Sequence, residues 1–227
     1  MIFGIGDLHL DYSQQKPMDV FGEKWINHEE KIFNNWKLKV EDEDLVLIPG
    51  DISWALKLDE AYYDLKRIDE LPGKKIITKG NHDYWWESKK KMNSFNFNSI
   101  FFIQNDSYIY KNVAVAGCRG WIAKDSEGFS SHDEKMYNRE LGRLENSLKS
   151  IKKSTEKKIV MIHYPPFNED ASPNEFIYLM KENAVDICIY GHLHSEGLKY
   201  VVEGNIEGIQ FICVSSDYIN FSPKELL

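Results

Sequence analysis

Five of the seven histidines stand in short polar clusters, and each cluster follows a run of aliphatic residues. Imidazole, carboxylate and carboxamide groups are nitrogen and oxygen ligands for Mn, Fe, Zn, Co or Ni, and imidazole and carboxyl groups also transfer protons. This combination predicts a site where these side chains converge on a metal ion. In chain order the clusters, with one more that has only an aspartate, are Asp7-Leu8-His9, Gly50-Asp51, Gly80-Asn81-His82-Asp83, His163-Tyr164-Pro165-Pro166 and Gly191-His192-Leu193-His194.

The spacing within two clusters suits a shared ion. Residues i and i+2 of an extended chain point to the same side, about 6.6 Å apart. Asp7 with His9, and His192 with His194, can therefore each converge on one cation. A lone H-x-H is a weak motif, but five polar clusters in this order, each at the end of an aliphatic run, are a specific signal.

The ordered set D-x-H, G-D, G-N-H-D, H and G-H-x-H resembles the calcineurin-like metallophosphoesterases, from Asp7 to His194. The resemblance implies an α/β fold, a four-layer α/β/β/α sandwich with two mixed sheets flanked by helices. It also implies a dinuclear metal centre with Asp51 bridging. One metal would take Asp7, His9, Asp51 and His194, and the other Asp51, Asn81, His163 and His192.

The chemistry of a dinuclear centre implies roles for the last two residues of the G-N-H-D motif, His82 and Asp83. Two metals about 3.5 to 4 Å apart can share a hydroxide nucleophile and clamp the phosphoryl oxygens. His82 is then expected to protonate the leaving alkoxide, with Asp83 orienting its imidazole. We expect two ions, divalent or of the iron type, with Mn, Fe or Zn favoured.

Short aliphatic runs alternate with segments of helical periodicity, which is typical of layered α/β proteins. A polar stretch, 123–133, is long enough to be a mobile loop over a site. We expect one domain, residues 1–227. The predicted strands are 2–5, 45–48, 75–78, 159–162 and 187–190. The predicted helices lie within 25–36, 58–68 and 136–151. We also expect two strand pairs, one in 100–118 around Lys111-Asn112 and one in 198–214 around Gly204-Asn205.

Composition narrows the classes of protein and partner. The 227 residues carry 28 basic and 36 acidic side chains, a net charge of −8, which disfavours binding of duplex nucleic acid. No apolar run is long enough to span a membrane. Three cysteines within apolar runs indicate buried free thiols, and the first residues lack the pattern of a signal peptide. We therefore expect a cytoplasmic protein.

Four side chains near the clusters are candidates for binding a small phosphoester. Trp54, Trp121 and Tyr164 could stack on a ring, or could pack beneath the loops. Arg119 could grip a phosphate, or could form an ion pair. The substrate is expected to be a small or nucleotide-like phosphomonoester or phosphodiester, and the sequence does not choose between them.

Two other functions compete with the phosphoesterase interpretation. A non-catalytic metal-binding scaffold of the same fold would be expected to lose His82 or a bridging ligand, and this chain has both. A dinuclear amidohydrolase fits the order of the motifs less well. The sequence makes no prediction of the oligomeric state.

Overall fold

Two β-sheets form the centre of the protein. The computed structural model describes residues 1–13 and 15–227. The first sheet has five strands and the second has six. The strands are β1 (Ile2–Gly4), β2 (Leu45–Pro49), β3 (Lys74–Thr78), β4 (Ile100–Phe102), β5 (Tyr108–Tyr110), β6 (Val113–Cys118), β7 (Lys157–Ile162), β8 (Ile187–Tyr190), β9 (Gly204–Ile206), β10 (Ile209–Cys213) and β11 (Lys224–Glu225).

The strand order is β11-β1-β2-β3-β4 in the first sheet and β5-β6-β7-β8-β10-β9 in the second. Both sheets are mixed: the inner strands run parallel, and the strands β11, β5 and β9 pair antiparallel at edges. Parallel neighbours need crossover connections, which the helices supply. These are α1 (His28–Lys39), α2 (Leu58–Asp69), α3 (Lys89–Asn93), α4 (Ser131–Lys149) and α5 (Glu175–Glu182), with short 3-10 helices at Met18–Phe21, Glu23–Trp25 and Ser195–Tyr200.

Alternation along the inner strands separates three apolar layers. In β2, Leu45 and Leu47 pack between the two sheets, whereas Val46 and Ile48 face the helices α1 and α2. Strands that are buried on both faces consist of continuous hydrophobic residues, which explains the short aliphatic runs in the sequence. The helices α4 and α5 cover the outer face of the second sheet. The architecture is therefore the expected α/β/β/α sandwich.

Most predicted elements are present, and one turn was wrong. The pair around Lys111-Asn112 is confirmed as the hairpin β5-β6, although β4 belongs to the other sheet. The predicted turn at Gly204-Asn205 lies inside β9, and the chain reverses at Glu207-Gly208. Both of these residues have positive φ, 55° and 85°, as a tight hairpin turn requires, and Gly208 adopts it without strain.

The three cysteines are buried and free, as expected. Among residues 1–13 and 15–227, the structure shows no helix with the length and apolar character of a membrane span. The loop expected at 123–133 ends earlier, because α4 begins at Ser131. There the Ser130 hydroxyl accepts from the Asp133 N–H, and the Asp133 carboxylate accepts from the Ser130 N–H.

Candidate metal centre

The carboxyl ends of β1, β2, β3, β7 and β8 meet at one edge of the sandwich, and the polar clusters follow these strands. Parallel strands bring their following loops together at such an edge. Side chains of Asp7, Asp51 and His163 offer ligand atoms that all lie within 4.8 Å of one another. All three side chains are buried.

One group of donor atoms surrounds Asn81. Its Oδ1 lies 2.7 Å from His163 Nε2 and 2.9 Å from His192 Nδ1. The two imidazole nitrogens are 3.3 Å apart, and His163 Nε2 is 3.5 Å from Asp51 Oδ2. Such separations match the edges of a coordination shell whose metal–nitrogen bonds are about 2.0 to 2.1 Å.

The tautomer of His163 favours a cation at this point. Its Nδ1 lies 2.9 Å from the carbonyl oxygen of Pro49, which can only accept, so Nδ1 bears the proton. Nε2 then points a lone pair at Asn81 Oδ1, another acceptor. A positive ion between two facing acceptors turns this repulsion into attraction, and hydrogen bonding by the second ring nitrogen is usual for histidine ligands.

A second group of donor atoms surrounds His9. Its Nε2 lies 3.8 Å from Asp51 Oδ2, and its ring centroid is 5.5 Å from that of His194. Within the described residues, neither ring nitrogen of the buried His9 has a hydrogen-bond partner, nor does His194 Nδ1. Buried polar atoms are nearly always paired, so these nitrogens fit metal ligands.

Burial has shifted the pKa values of the acids and bases in this cluster. It raises the pKa of Asp7 to about 7, although the Ser215 hydroxyl and the His192 N–H favour the carboxylate. Burial, with Asp83 and Asp7 nearby, raises the pKa of Asp51 well above its ordinary range. Burial also lowers the pKa of His163 and, to about 4, that of His192. Neutral imidazoles and clustered carboxylates are the state that a cation stabilises.

A family comparison agrees with this donor set. The sequence model described as calcineurin-like phosphoesterase matches residues 1–196, which include every clustered residue named above. The chain belongs to the calcineurin-like phosphoesterase family. It is accordingly a metal-dependent phosphoester hydrolase. No curated protein matches the chain.

Solved structures show the same fold for this phosphoesterase. Phosphopantetheinyl hydrolase from Mycobacterium tuberculosis is similar with a TM-score of 0.59 at 13% identity, covering 100% of this chain and 95% of the other. A protein of unknown function from Aquifex aeolicus gives a TM-score of 0.51 at 16% identity, covering 99% and 94%. A protein from Thermus thermophilus gives 0.50 at 12% identity, covering 85% and 81%.

Four of the seven expected ligands of this phosphoesterase have a left-handed backbone conformation. Asp7, His9, Asp51 and His192 have φ values of 54°, 45°, 53° and 71°. Left-handed conformations of residues other than glycine cost about 1 to 3 kcal/mol each and persist where surrounding structure holds them. Such strain aims consecutive side chains into one site, an arrangement that relaxed strand geometry does not give.

Two glycines let the loops after β2 and β3 touch. A Cβ on Gly50 would lie 2.5 Å from the Cα of Gly80 and 2.9 Å from His163 Nδ1. A Cβ on Gly80 would overlap both the backbone nitrogen and the carboxylate of Asp51. Only glycine therefore permits the approach that places Asp51 beside Asn81.

We expect Gly80→Ala to displace Asp51, because the overlap is with backbone as well as side chain. The predicted result is a loss of about 1 to 3 kcal/mol in the free energy of unfolding, as for overpacked interiors, together with weaker cation binding. Urea unfolding and metal titration measure the two effects. Gly142→Ala is the matched control: it lies in α4 with open space around its Cβ, so it should stabilise the protein by about 0.5 to 1 kcal/mol. Unchanged cation binding in Gly80→Ala would contradict this account.

Asp83 is fully buried, and its contacts differ from the expected ones. Its Oδ2 accepts from the N–H groups of Asp51 (2.9 Å) and Gly80 (2.7 Å), and its Oδ1 accepts from Ile52 N (2.9 Å) and Trp85 Nε1 (3.0 Å). The carboxylate therefore holds together the two loops that present Asp51 and Asn81. The expectation that it orients the imidazole of His82 is replaced by this role as a positioning residue.

His82 lies at the rim of the cluster and is half-buried. Its backbone N–H donates to Asp51 Oδ1 over 2.8 Å, and its ring packs 4.6 Å from the ring of Trp54. Burial and the nearby His194 lower the pKa of His82, and the negative charge of a bound phosphoester would oppose this shift and favour the protonated ring. Its position beside the donor groups is consistent with a proton donor.

The four expected substrate residues separate into three environments. Trp54 stacks on His9, with ring centroids 4.9 Å apart, and so supports the cluster. The guanidinium of Arg119 pairs with the buried Glu140 at 3.2 Å, the ion pair that the sequence left open, and lies 4.3 Å from the ring of Trp121. Trp121 and Tyr164 line a cavity beside the cluster.

The sequence analysis missed a sixth cluster, Ser215-Ser216-Asp217. It follows β10, and the signal that identifies it is the same one: polar residues directly after a buried strand. Asp217 is buried, accepts from the Ser195 N–H at 2.8 Å, and has an Oδ1 without a partner among the described residues. Burial lowers the pKa of His194, and the negative charge of Asp217 opposes this shift, which places Asp217 near this expected ligand.

Proposed function

We propose that the chain is a dinuclear hydrolase of small or nucleotide-like phosphomonoesters or phosphodiesters. The observation that supports two ions is the sharing of Asp51 between two groups of donors. Asp51 Oδ2 lies 3.5 Å from His163 Nε2 on one side and 3.8 Å from His9 Nε2 on the other. Mn, Fe or Zn suit this set of oxygen and nitrogen donors.

Each residue of the site has a proposed role in binding the ions, positioning the loops or transferring a proton. A cation pair, when bound, supplies charge that neutralises phosphoryl oxygens and activates water. Asp7, His9 and His194 would hold one ion, Asn81, His163 and His192 the other, and Asp51 both. Asp83 holds the loops of Asp51 and Asn81 together through hydrogen bonds to their backbone. His82 donates a proton to the leaving oxygen from the rim of the site.

Loading the protein with metal is the direct test. We expect about two ions per chain after incubation with Mn, Zn, Fe, Co or Ni, measured by elemental analysis, and turnover of 4-nitrophenyl phosphate or its bis ester with at least one of them. Bound metal without turnover of either ester would favour the non-catalytic scaffold. A single ion per active chain would contradict the dinuclear site.

Metal binding should also appear as stability. A ligand at 100 times its dissociation constant stabilises a folded protein by about 2.7 kcal/mol per site. Thermal unfolding with each metal, against a sample treated with chelator, is expected to show this shift. The control is Mg, whose preference for oxygen ligands and water makes it a poor match for four imidazoles. Equal shifts with every ion would argue for non-specific binding.

We propose a small phosphoester as the binding partner of the protein. A net charge of −8 disfavours duplex nucleic acid as a ligand. The buried, unpaired cysteines are compatible with a reducing compartment, so we propose that the protein works in the cytoplasm.

A further inference from the structure

A cavity of about 510 Å³ lies over the carboxyl ends of β6, β7 and β8. Small-molecule sites are typically about 300 to 1,000 Å³. Its walls come from the loops after these three strands, from the end of the 3-10 helix Ser195–Tyr200 and from the residues that follow this helix. Aromatic side chains (Trp121, Tyr164, Phe167 and Tyr200) and aliphatic ones (among them Ile122, Leu193, Val201 and Val202) dominate the lining.

The cavity is continuous with the candidate metal centre. His192, an expected ligand, forms part of its wall, and the ring of Tyr164 packs 4.2 Å from that of His192. Trp121 follows at 5.8 Å from Tyr164. A molecule whose phosphoryl group contacts the ligand cluster can therefore place a neighbouring group in this cavity.

The lining has no net charge. Lys199 and Glu169 are the two residues in it that carry a full charge at neutral pH, one of each sign. Glu169 already accepts a hydrogen bond from the Ser126 hydroxyl at 2.7 Å. Both of these charged residues are exposed, so the buried part of the wall offers a charged group no counter-charge in exchange for its lost hydration. The cavity therefore suits an uncharged ring or hydrocarbon chain.

The walls are held in place without a ligand. Glu169 N–H donates to Asp125, and Lys124 pairs with Glu175 at the start of α5, at 2.5 Å. With the Ser126 contact, these bonds join the loop after Trp121 to the loop after β7. A pre-formed cavity binds its ligand without first ordering its walls, which increases affinity.

The position of His82 determines which part of the substrate binds in the cavity at Tyr164. His82 must reach the leaving oxygen, and its ring packs on Trp54, which lines a separate cavity of about 450 Å³ together with Tyr12 and Lys16. The cavity at Tyr164 borders His192 instead. The leaving group is thus directed towards His82, and a different substituent of phosphorus occupies the cavity at Tyr164.

We propose that this cavity binds an uncharged ring or hydrocarbon chain that stays esterified to phosphorus, and hence that the enzyme prefers phosphodiesters. The inference rests on the proposed function. It selects among the substrates that function allows, since a monoester leaves the cavity empty. It also disfavours substrates whose retained group carries a further phosphate or carboxylate.

A series of diesters with one leaving group tests the inference. Methyl, phenyl and 4-carboxyphenyl 4-nitrophenyl phosphates all release 4-nitrophenolate, so only the retained group differs. We expect kcat/KM for the phenyl ester to exceed that for the methyl ester at least tenfold, because a single methylene in a fitted apolar pocket already changes kcat/KM by about 10-fold or more. The 4-carboxyphenyl ester should lose this advantage.

Val202→Asp locates the effect in the cavity. Val202 lies in its wall, and an aspartate there should abolish the preference for phenyl over methyl. Elemental analysis and thermal unfolding report whether the variant is loaded with metal and folded. Leu38→Asp, at a position in α1 that is 82% exposed, is the matched control and should keep the preference.

Each outcome has a distinct meaning. If metal-loaded protein hydrolyses no ester, the proposed function fails. If it hydrolyses all three diesters equally, or 4-nitrophenyl phosphate faster than all of them, the inference about the cavity fails and the proposed function stands. A phenyl preference that survives in Val202→Asp would also overturn it, because the ring would then bind elsewhere.

Discussion

Asp51→Ala is expected to reduce hydrolysis of 4-nitrophenyl phosphate to the rate of a metal-free sample. Loss of a general acid costs about 10² to 10⁴ in rate, whereas phosphate monoester hydrolysis can require acceleration of up to about 10²¹. The cation pair must supply most of that difference, and Asp51 lies between both donor groups. The expected loss therefore exceeds about 10⁴-fold, and elemental analysis should show fewer than two ions per chain.

The stability of the metal-free variant separates ligation from a merely structural role. Burial and the neighbouring carboxylates Asp83 and Asp7 raise the pKa of Asp51 well above its ordinary range, so its negative charge destabilises the metal-free fold. Removing that charge with Asp51→Asn should leave the metal-free protein as stable as, or more stable than, the original. Added metal should then stabilise it less.

Asp69→Asn is the matched control for Asp51→Asn. Asp69 is also buried, but it accepts from Ser99 N at 2.8 Å and from Asn98 N, directly before β4 begins, whereas the ligand clusters follow the ends of strands. Burial by itself would raise its pKa, but these hydrogen bonds lower it, so its carboxylate stabilises the fold. We expect Asp69→Asn to unfold more easily and to keep its metal and its activity. If Asp51→Asn behaved like this control, Asp51 would not be a ligand.

The fold and the expected ligands were predictable because both depend on short-range sequence signals. Aliphatic runs such as 45–48 are buried on both faces, and polar residues after parallel strands must meet at one edge. The seven expected ligands follow this rule, and so does Asp217, whose cluster was not predicted and contains neither a histidine nor a Gly-Asp pair.

Details that depend on long-range contacts were not predictable in this way. Asp83 is next to His82 in sequence, which suggested a pair, yet its oxygens are occupied by the N–H groups of two loops. The turn at Glu207-Gly208 requires a left-handed glutamate, which only the pairing of β9 with β10 imposes. Arg119 meets its partner Glu140 21 residues further along the chain, inside α4.

The ligand cluster also explains why metal and fold should be coupled. Four of its residues have left-handed backbones, and several of its buried nitrogens have no partner among the described residues. Each feature costs free energy in the metal-free protein, about 1 to 3 kcal/mol for each strained residue. The apolar layers on both faces of the two sheets offset this cost. Removal of metal is therefore expected to loosen the site before the sheets.

His82→Ala should separate the proton transfer from the rest of the reaction. A leaving group such as 4-nitrophenolate departs without a proton, whereas an alkoxide does not. We expect the variant to lose about 10² to 10⁴ in kcat on alkyl phosphate esters and less than about tenfold on 4-nitrophenyl esters. Its content of bound metal should be unchanged, because the ring of His82 lies at the rim and packs on Trp54.

His132→Ala is the matched control for this variant, since His132 is exposed in the first turn of α4 and is not among the residues of the cluster. It should hydrolyse both kinds of ester at the original rates. The decisive quantity is the ratio of the two losses in His82→Ala, measured at the same metal occupancy. Equal losses on nitrophenyl and alkyl esters would mean that the His82 ring binds the phosphoryl group or supports the site by packing on Trp54, and donates no proton. The alanine variant keeps the backbone N–H that donates to Asp51 Oδ1. A large loss confined to poor leaving groups has no such structural explanation, because substrate binding and loop geometry act alike on both esters.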